Sequence, residues 1–212
     1  MSRGLSPMRI DWHEFVTRRP RLGKAIIVLK RFRTKAAIAL VALSTIEAFW
    51  DHERPYDWDE QWRTAPVIVG LLLTAGGTAF RLWAYGHLQK KDHLARSGPY
   101  ALCRHPLYLG SITLAYGFCF LLRDDKNFIA ATAYFLVFYT IAIIWEEVRL
   151  GERYGDEHAC YAAETPLLIP MGTYRSGAFS LALAMRNQGL VLVVLVVSAL
   201  AGVELMAEYM PR

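Results

Sequence analysis

Apolar residues in this chain are gathered into blocks, separated by shorter polar stretches. Residues 36–50 form the first block, interrupted only by Glu47; 65–80 form the second, with Arg81 at its end; 107–122, 128–145 and 189–203 follow. No block alternates apolar with polar at the two-residue period of a strand, so each reads as a helix. A helix needs about 20 mostly apolar residues to cross hydrocarbon, with about 17 as a lower bound. Several blocks reach that length only with flanking Trp, Tyr, Arg and Lys, which snorkel or sit in the interface. One such block would suit a buried helix of a soluble protein equally well, but five in 212 residues do not. The pattern predicts an all-α, polytopic membrane protein with about five transmembrane helices.

Composition agrees, at 54% hydrophobic residues, and the net charge of +5 is unevenly spread. Residues 1–35 hold Arg3, Arg9, Arg18, Arg19, Arg21, Lys24, Lys30, Arg31, Arg33 and Lys35 against Asp11 and Glu14. The 51–64 loop is acidic, with Asp51, Glu53, Asp57, Asp59 and Glu60 against Arg54 and Arg63; the next loop is basic again through Lys90, Lys91, Arg96 and Arg104. By the positive-inside rule the N-terminus, the 86–106 loop and the 146–188 segment are cytoplasmic, with 51–64, 123–127 and the C-terminus outside. The first block starts too late, and lacks the small-residue site, for a cleaved signal peptide. The basic lead-in carries no interleaved stacking aromatics, so anionic membrane lipids suit it and nucleic acid does not. Cys103, Cys119 and Cys160 are far apart with no CxxC, which gives neither a disulfide framework nor a metal-ligand pattern.

The chain divides into a basic cytoplasmic or interfacial segment, 1–35, and one membrane domain, 36–206, that ends in a last span near 189–206. The short 123–127 connection predicts an antiparallel hairpin of the third and fourth spans. From there a helix continues over 146–161, with Glu146, Leu150 and Tyr154 on one face, until Pro166 and Pro170 stop it. Gly76-Gly77 lies inside an apolar span and opens no strand–turn–helix unit, so it reads as close helix packing and not as a nucleotide loop.

Candidate chemistry concentrates at 97–110, Ser-Gly-Pro-Tyr-Ala-Leu-Cys-Arg-His-Pro-Leu-Tyr-Leu-Gly. Proline fixes φ and restricts the residue before it, so this turn is costly to shape; ionisable groups at membrane depth mark functional sites. The hairpin brings this turn and the 146–161 helix to one membrane face. Tyr100, Arg104, His105 and Tyr108 are thereby expected beside Glu146, Glu147, Arg149 and Tyr161. Taken singly, each has a plainer reading: the tyrosines as interfacial anchors, Arg104 as a lipid-phosphate contact, the glutamates as a solvated helix start.

Gly98-Pro99-Tyr100 followed by Arg104-His105-Pro106-Leu107-Tyr108-Leu109-Gly110 resembles the GPYxxxRHPxYxG signature of the isoprenylcysteine carboxyl methyltransferase family, part of a wider group that includes phospholipid methyltransferases. Trp83-Ala84 and His93-Leu94 fit upstream; downstream, Glu146-Glu147-Val148-Arg149-Leu150 is similar to EExxL, and 154–170 to an FGxxYxxY…PxLIP tail. The match spans about 80–170 and departs where Tyr154 replaces Phe and His158 replaces Tyr. What the resemblance implies is an S-adenosylmethionine-dependent methyltransferase with its cofactor pocket at the cytoplasmic face and no metal. It implies cofactor contacts from His93, Gly98, Tyr100, Arg104, His105, Pro106, Tyr108, Gly110, Glu146, Glu147 and Tyr161. A catalytic role would fall to Glu147, with Glu146 as substitute and Arg149 beside them. The acceptor it implies is lipophilic, first an isoprenylcysteine-type carboxylate, alternatively a phosphatidylethanolamine amine or a small thiol. A non-catalytic binding or transport protein is the reading from another class, although the paired broken helices of inverted repeats are not found. The host membrane that the resemblance implies is a bacterial inner membrane or the endoplasmic reticulum.

Overall fold

The structure is a computed structural model and describes residues 63–209, except 89–92 and 124, together with residues 32, 35, 36, 39, 43 and 55. Apart from those single positions, the expected first span and the basic lead-in therefore lie outside the described residues.

α1 runs Ala65–His87, entered from extended Thr64 with a proline in its first turn and left through extended Leu88. A proline there loses no intrahelical bond and presets φ. α2 is a single turn, Pro99–Leu102, inside the predicted 97–110 turn. α3, Pro106–Leu122, again opens on a proline and stops at Arg123, whose φ of 59° is left-handed. α4 is the longest helix among the described residues, Asp125–Glu164, with a π-helical stretch at Phe135–Tyr139 and a break at Gly155. Asp125 lies in its first turn, where the helix dipole favours an acid. α5 covers Leu181–Tyr209; the Ser180 hydroxyl caps it by accepting from the Leu183 amide, and Met185–Gly189 is π-helical.

α1, α4 and α5 are each long and apolar enough to cross a membrane, and α3 is a shorter apolar helix. No strand occurs among the described residues, and the molecule is an all-α, polytopic integral membrane protein. Two helices outrun the apolar blocks that predict them, α1 continuing to His87 and α5 beginning at Leu181, whereas α4 carries the fourth span on into the 146–161 helix as expected, with a break at Gly155. Helical hydrogen bonding continues through polar residues once apolar packing has fixed the turns on either side.

The α3–α4 hairpin is antiparallel, as ring contacts show along its length: Phe120 meets Phe128 at 5.0 Å, Tyr116 meets Phe128 at 6.0 Å, and Tyr108 meets Tyr139 at 4.9 Å. Against its other side α3 packs closely on α1. A Cβ at Gly77 would lie 2.6 Å from the Leu114 amide nitrogen, and one at Gly117 would lie 2.7 Å from that of Thr74. Gly77, not its neighbour, carries the predicted close packing, because Gly76 has nothing within 4 Å. α5 docks on α1 through buried Asn187, whose side-chain amide donates to the carbonyls of Tyr85 (3.1 Å) and Leu88 (2.8 Å).

Candidate functional site

The turn that joins α1 to α3 is shaped by its backbone before any side chain acts. Gly98 has φ 59° and ψ −129°, outside the region open to L-residues, and a Cβ there would lie 2.6 Å from the His87 ring. The chain leaving α4 straps the turn down. The Gly98 amide donates to the Arg175 carbonyl at 2.8 Å, Arg104 to Pro166 at 2.8 Å, His105 to Leu167 at 3.1 Å, and Gly172 to Leu102 at 2.9 Å. The buried Tyr161 hydroxyl adds a 2.6 Å bond to the Tyr100 carbonyl. Gly98→Ala is thus expected to cost about 1–3 kcal/mol in backbone strain before the clash with His87 is counted. Thermal unfolding of the purified variant checks this; an unchanged midpoint would show that the turn relaxes freely.

Glu147 stands at the centre of the site. Its carboxylate accepts from Arg104 Nη1 and, at 2.8 Å, from His105 Nε2. The second His105 nitrogen, Nδ1, faces Glu146 at 4.0 Å. His158 Nε2 approaches Glu147 to 3.7 Å. Eleven residues of straight helix would separate Glu147 from His158 by about 16 Å along the axis. The break at Gly155, φ 50° and ψ −121°, folds the end of α4 back and closes that distance. The His that replaces a tyrosine in the resemblance therefore faces the central carboxylate.

Two cavities flank this cluster and share Leu88, Tyr108 and Glu146 in their walls. The first, of about 420 Å³, runs from Tyr100, Arg104 and His105 to Arg81 and Ser111. The second, of about 550 Å³, follows α4 past Trp145, Arg149, Leu150 and Tyr154. Both lie in the 300–1,000 Å³ range of small-molecule sites. Three polar atoms of residues lining the first cavity, Tyr100 Oη, Arg104 Nε and Arg81 Nε, are buried without a hydrogen-bond partner. Buried donors are rarely left so in native proteins, and a ligand or water in the cavity would supply their acceptors. Burial, reinforced by the nearby Glu146, holds the Tyr100 hydroxyl well above the ordinary tyrosine range, so it stays a neutral donor. Burial also pushes the Cys103 thiol up to about 11, against the lowering effect of the His105 backbone, so it is not a thiolate nucleophile. Cys119 is buried as well, and Cys160 is exposed.

Of the residues expected from sequence, Tyr100, Arg104, His105, Pro106, Tyr108 and Glu146 line the first cavity, and Arg149 joins Tyr108 and Glu146 at the second. Glu147 lies behind that wall, bound to Arg104 and His105. Gly98 and Tyr161 shape the turn, and Gly110 admits the Arg81 stem, which a Cβ there would approach to 2.6 Å. His93 is exposed and lines neither cavity. Sequence reasoning missed Arg81, Tyr85, Ser111 and Gln188 in the first cavity. The only signal for Arg81 was a lone cation closing an apolar block; Gln188, φ 79°, comes from α5, which the resemblance does not reach. No group of three or more His, Cys, Asp or Glu side chains among the described residues is placed to hold a metal ion.

Residues 66–157 match the family model described as phospholipid methyltransferase. The chain is 30% identical over 149 residues to the nickel-cobalt-cadmium resistance protein NccN of Alcaligenes xylosoxydans xylosoxydans, covering 68% of this chain and 66% of that protein. It is also 30% identical over 155 residues to the cobalt-zinc-cadmium resistance protein CzcN of Cupriavidus metallidurans, covering 69% of this chain and 68% of the relative. The match thus spans about two thirds of the length of these relatives. No solved structure matches.

Proposed function

This chain belongs to the phospholipid methyltransferase family of membrane methyltransferases, and from that premise we propose that it transfers the methyl group of S-adenosylmethionine to a lipophilic acceptor, first an isoprenylcysteine-type carboxylate. The observation that carries the reading is the set of buried, unpartnered donors on Tyr100, Arg104 and Arg81 around one cavity. Such a wall suits oxygen-bearing ligands, as both the donor and a carboxylate acceptor are. S-adenosylmethionine, when bound, supplies an electrophilic methyl on a sulfonium cation.

The residues divide the remaining work. Glu146, 47% exposed and shared by both cavities, is the carboxylate available to ribose hydroxyls or an ammonium group. Tyr108, packed edge-on against Tyr139 at 4.9 Å, offers a ring to a sulfonium by cation–π attraction. Glu147 is engaged by Arg104 and His105 and so holds those side chains in place. A base, needed only if the acceptor arrives protonated, falls to Glu146. Leu88, Pro106 and Leu107 give this cavity an apolar wall, and in-line displacement depends chiefly on alignment in such a pocket. A cytoplasmic position for this site rests on the charge of the flanking loops. The metal resistance named for the two relatives is a property of those proteins.

Incubating the detergent-purified chain with methyl-labelled S-adenosylmethionine and a membrane lipid extract tests the reading. Saturable donor binding is expected, with label in an organic-soluble product. Alkali release of that label as methanol marks a carboxyl ester, whereas alkali-stable label marks an N- or S-methyl product and overturns the carboxylate assignment. Absence of saturable donor binding overturns the whole.

A further inference from the structure

Arg81 sits six residues before the end of α1, about 9 Å along the helix axis from His87 and on the apolar side of the Glu147 cluster. One Nη donates to Ser111 Oγ and the other to Tyr85 Oη at 2.7 Å, so two neutral side chains hold the guanidinium fork. Ser111 in turn donates to the Leu107 carbonyl at 2.9 Å, which fixes its oxygen. Tyr85 is 4% exposed, and the Arg81 guanidinium carbon lies 5.5 Å from its ring centroid. Among the described residues no carboxylate forms an ion pair with Arg81, although Glu146 lines the same cavity, and the buried Arg81 Nε has no hydrogen-bond partner. Arg104, the other arginine of this cavity, has Glu147.

A cation held among apolar helices without an ion-pair partner is costly, and it persists where a ligand supplies the opposite charge. The fork is already oriented by Ser111 and Tyr85, so a planar carboxylate would meet it with little further loss of side-chain freedom. Gly110 contributes by leaving room for the Arg81 stem.

We propose that Arg81, braced by Ser111 and Tyr85, is a carboxylate-binding subsite at the membrane-side end of the first cavity. The inference rests on the methyltransferase reading for its two sources of carboxylate, the amino-acid end of the donor and the acidic group of the acceptor. Four probes separate these: S-adenosylmethionine and its decarboxylated analogue, and an N-acetylated S-prenylcysteine and its neutral carboxamide. Binding of each to detergent-purified wild type and Arg81→Gln is measured. A charge-assisted hydrogen bond corresponds to a preference of about 10- to 100-fold. The wild type is expected to favour the carboxylate member of one pair by that factor. Arg81→Gln loses the preference and binds the neutral member as before, while Arg81→Lys keeps part of it. Loss in the donor pair assigns the subsite to the cofactor; loss in the prenylcysteine pair assigns it to the acceptor. A wild type without preference in either pair, or a preference that survives Arg81→Gln, overturns the proposal. Failure of wild type to bind S-adenosylmethionine at all sinks the methyltransferase reading instead, and the prenylcysteine pair still reports on the subsite.

Discussion

Replacing Glu147 by alanine is expected to abolish donor binding and to cost about 3–5 kcal/mol of stability, as removal of one member of a buried ion pair does. The side chains concerned are well covered: His105 is 2% exposed, Arg104 15% and Glu147 20%. Without the carboxylate, Arg104 Nη1 and His105 Nε2 lose their acceptor together, and Arg104 Nε is already without one. Glu147→Gln keeps the shape and one acceptor oxygen but not the charge, so its effect should be smaller, about a 10-fold loss of donor affinity. A base acting on the acceptor would behave otherwise: the Gln variant would bind the donor normally and fail only in turnover. Labelled-donor binding measured beside turnover tells the two apart. Donor affinity within twofold of wild type, with an unshifted unfolding midpoint, would remove Glu147 from the positioning role. A double-mutant cycle with Arg104→Ala should be strongly non-additive, because both changes break the same pair.

Both halves of this site were legible in the chain because each is local. The 98–110 turn writes its shape in Gly and Pro, and Glu146-Glu147 marks where an apolar helix leaves the membrane. Their meeting was legible too, since the hairpin around Arg123 lets α4 run back beside α3. The helix ends were less so: the apolar block at 65–80 stops at Arg81, yet α1 runs on to His87 because Ala84 and Tyr85 beyond that arginine are buried in the core, and α5 begins at Leu181, well ahead of its apolar block. What could not be read was anything set by helix rotation. Arg81 looked like the polar close of a span, and only the facing of α1 on α3 puts it against Ser111 in the cavity. Gln188 depends on a left-handed residue inside a π-helical stretch, for which glutamine carries no sequence signal. The fold-back at Gly155, which sets His158 beside Glu147, was hidden within a region that reads as uninterrupted helix.

Gly77→Ala and Gly76→Ala should differ sharply, although the two residues are neighbours on one helix. In each variant alanine replaces glycine in a helix interior, a gain of up to about 1 kcal/mol in propensity. At position 76 nothing lies within 4 Å of the new methyl, so the variant should be neutral or slightly stabilised. At position 77 the methyl would stand 2.6 Å from the Leu114 nitrogen, 2.8 Å from the Gly110 carbonyl oxygen and 3.0 Å from the Leu114 Cα. All three are backbone atoms of α3, so no side chain can swing aside and the helices must part. Overpacking of this kind costs about 1–3 kcal/mol, and α1 and α3 also carry the two ends of the Arg81–Ser111 bond. Gly77→Ala should therefore lower the unfolding midpoint by about 2–12 °C and weaken whatever the Arg81 subsite binds, while Gly76→Ala does neither. The difference between the variants isolates packing, because the propensity gain is common to both. Equal midpoints would mean that α1 and α3 are not in backbone contact, and Arg81 would then lose its fixed position against Ser111.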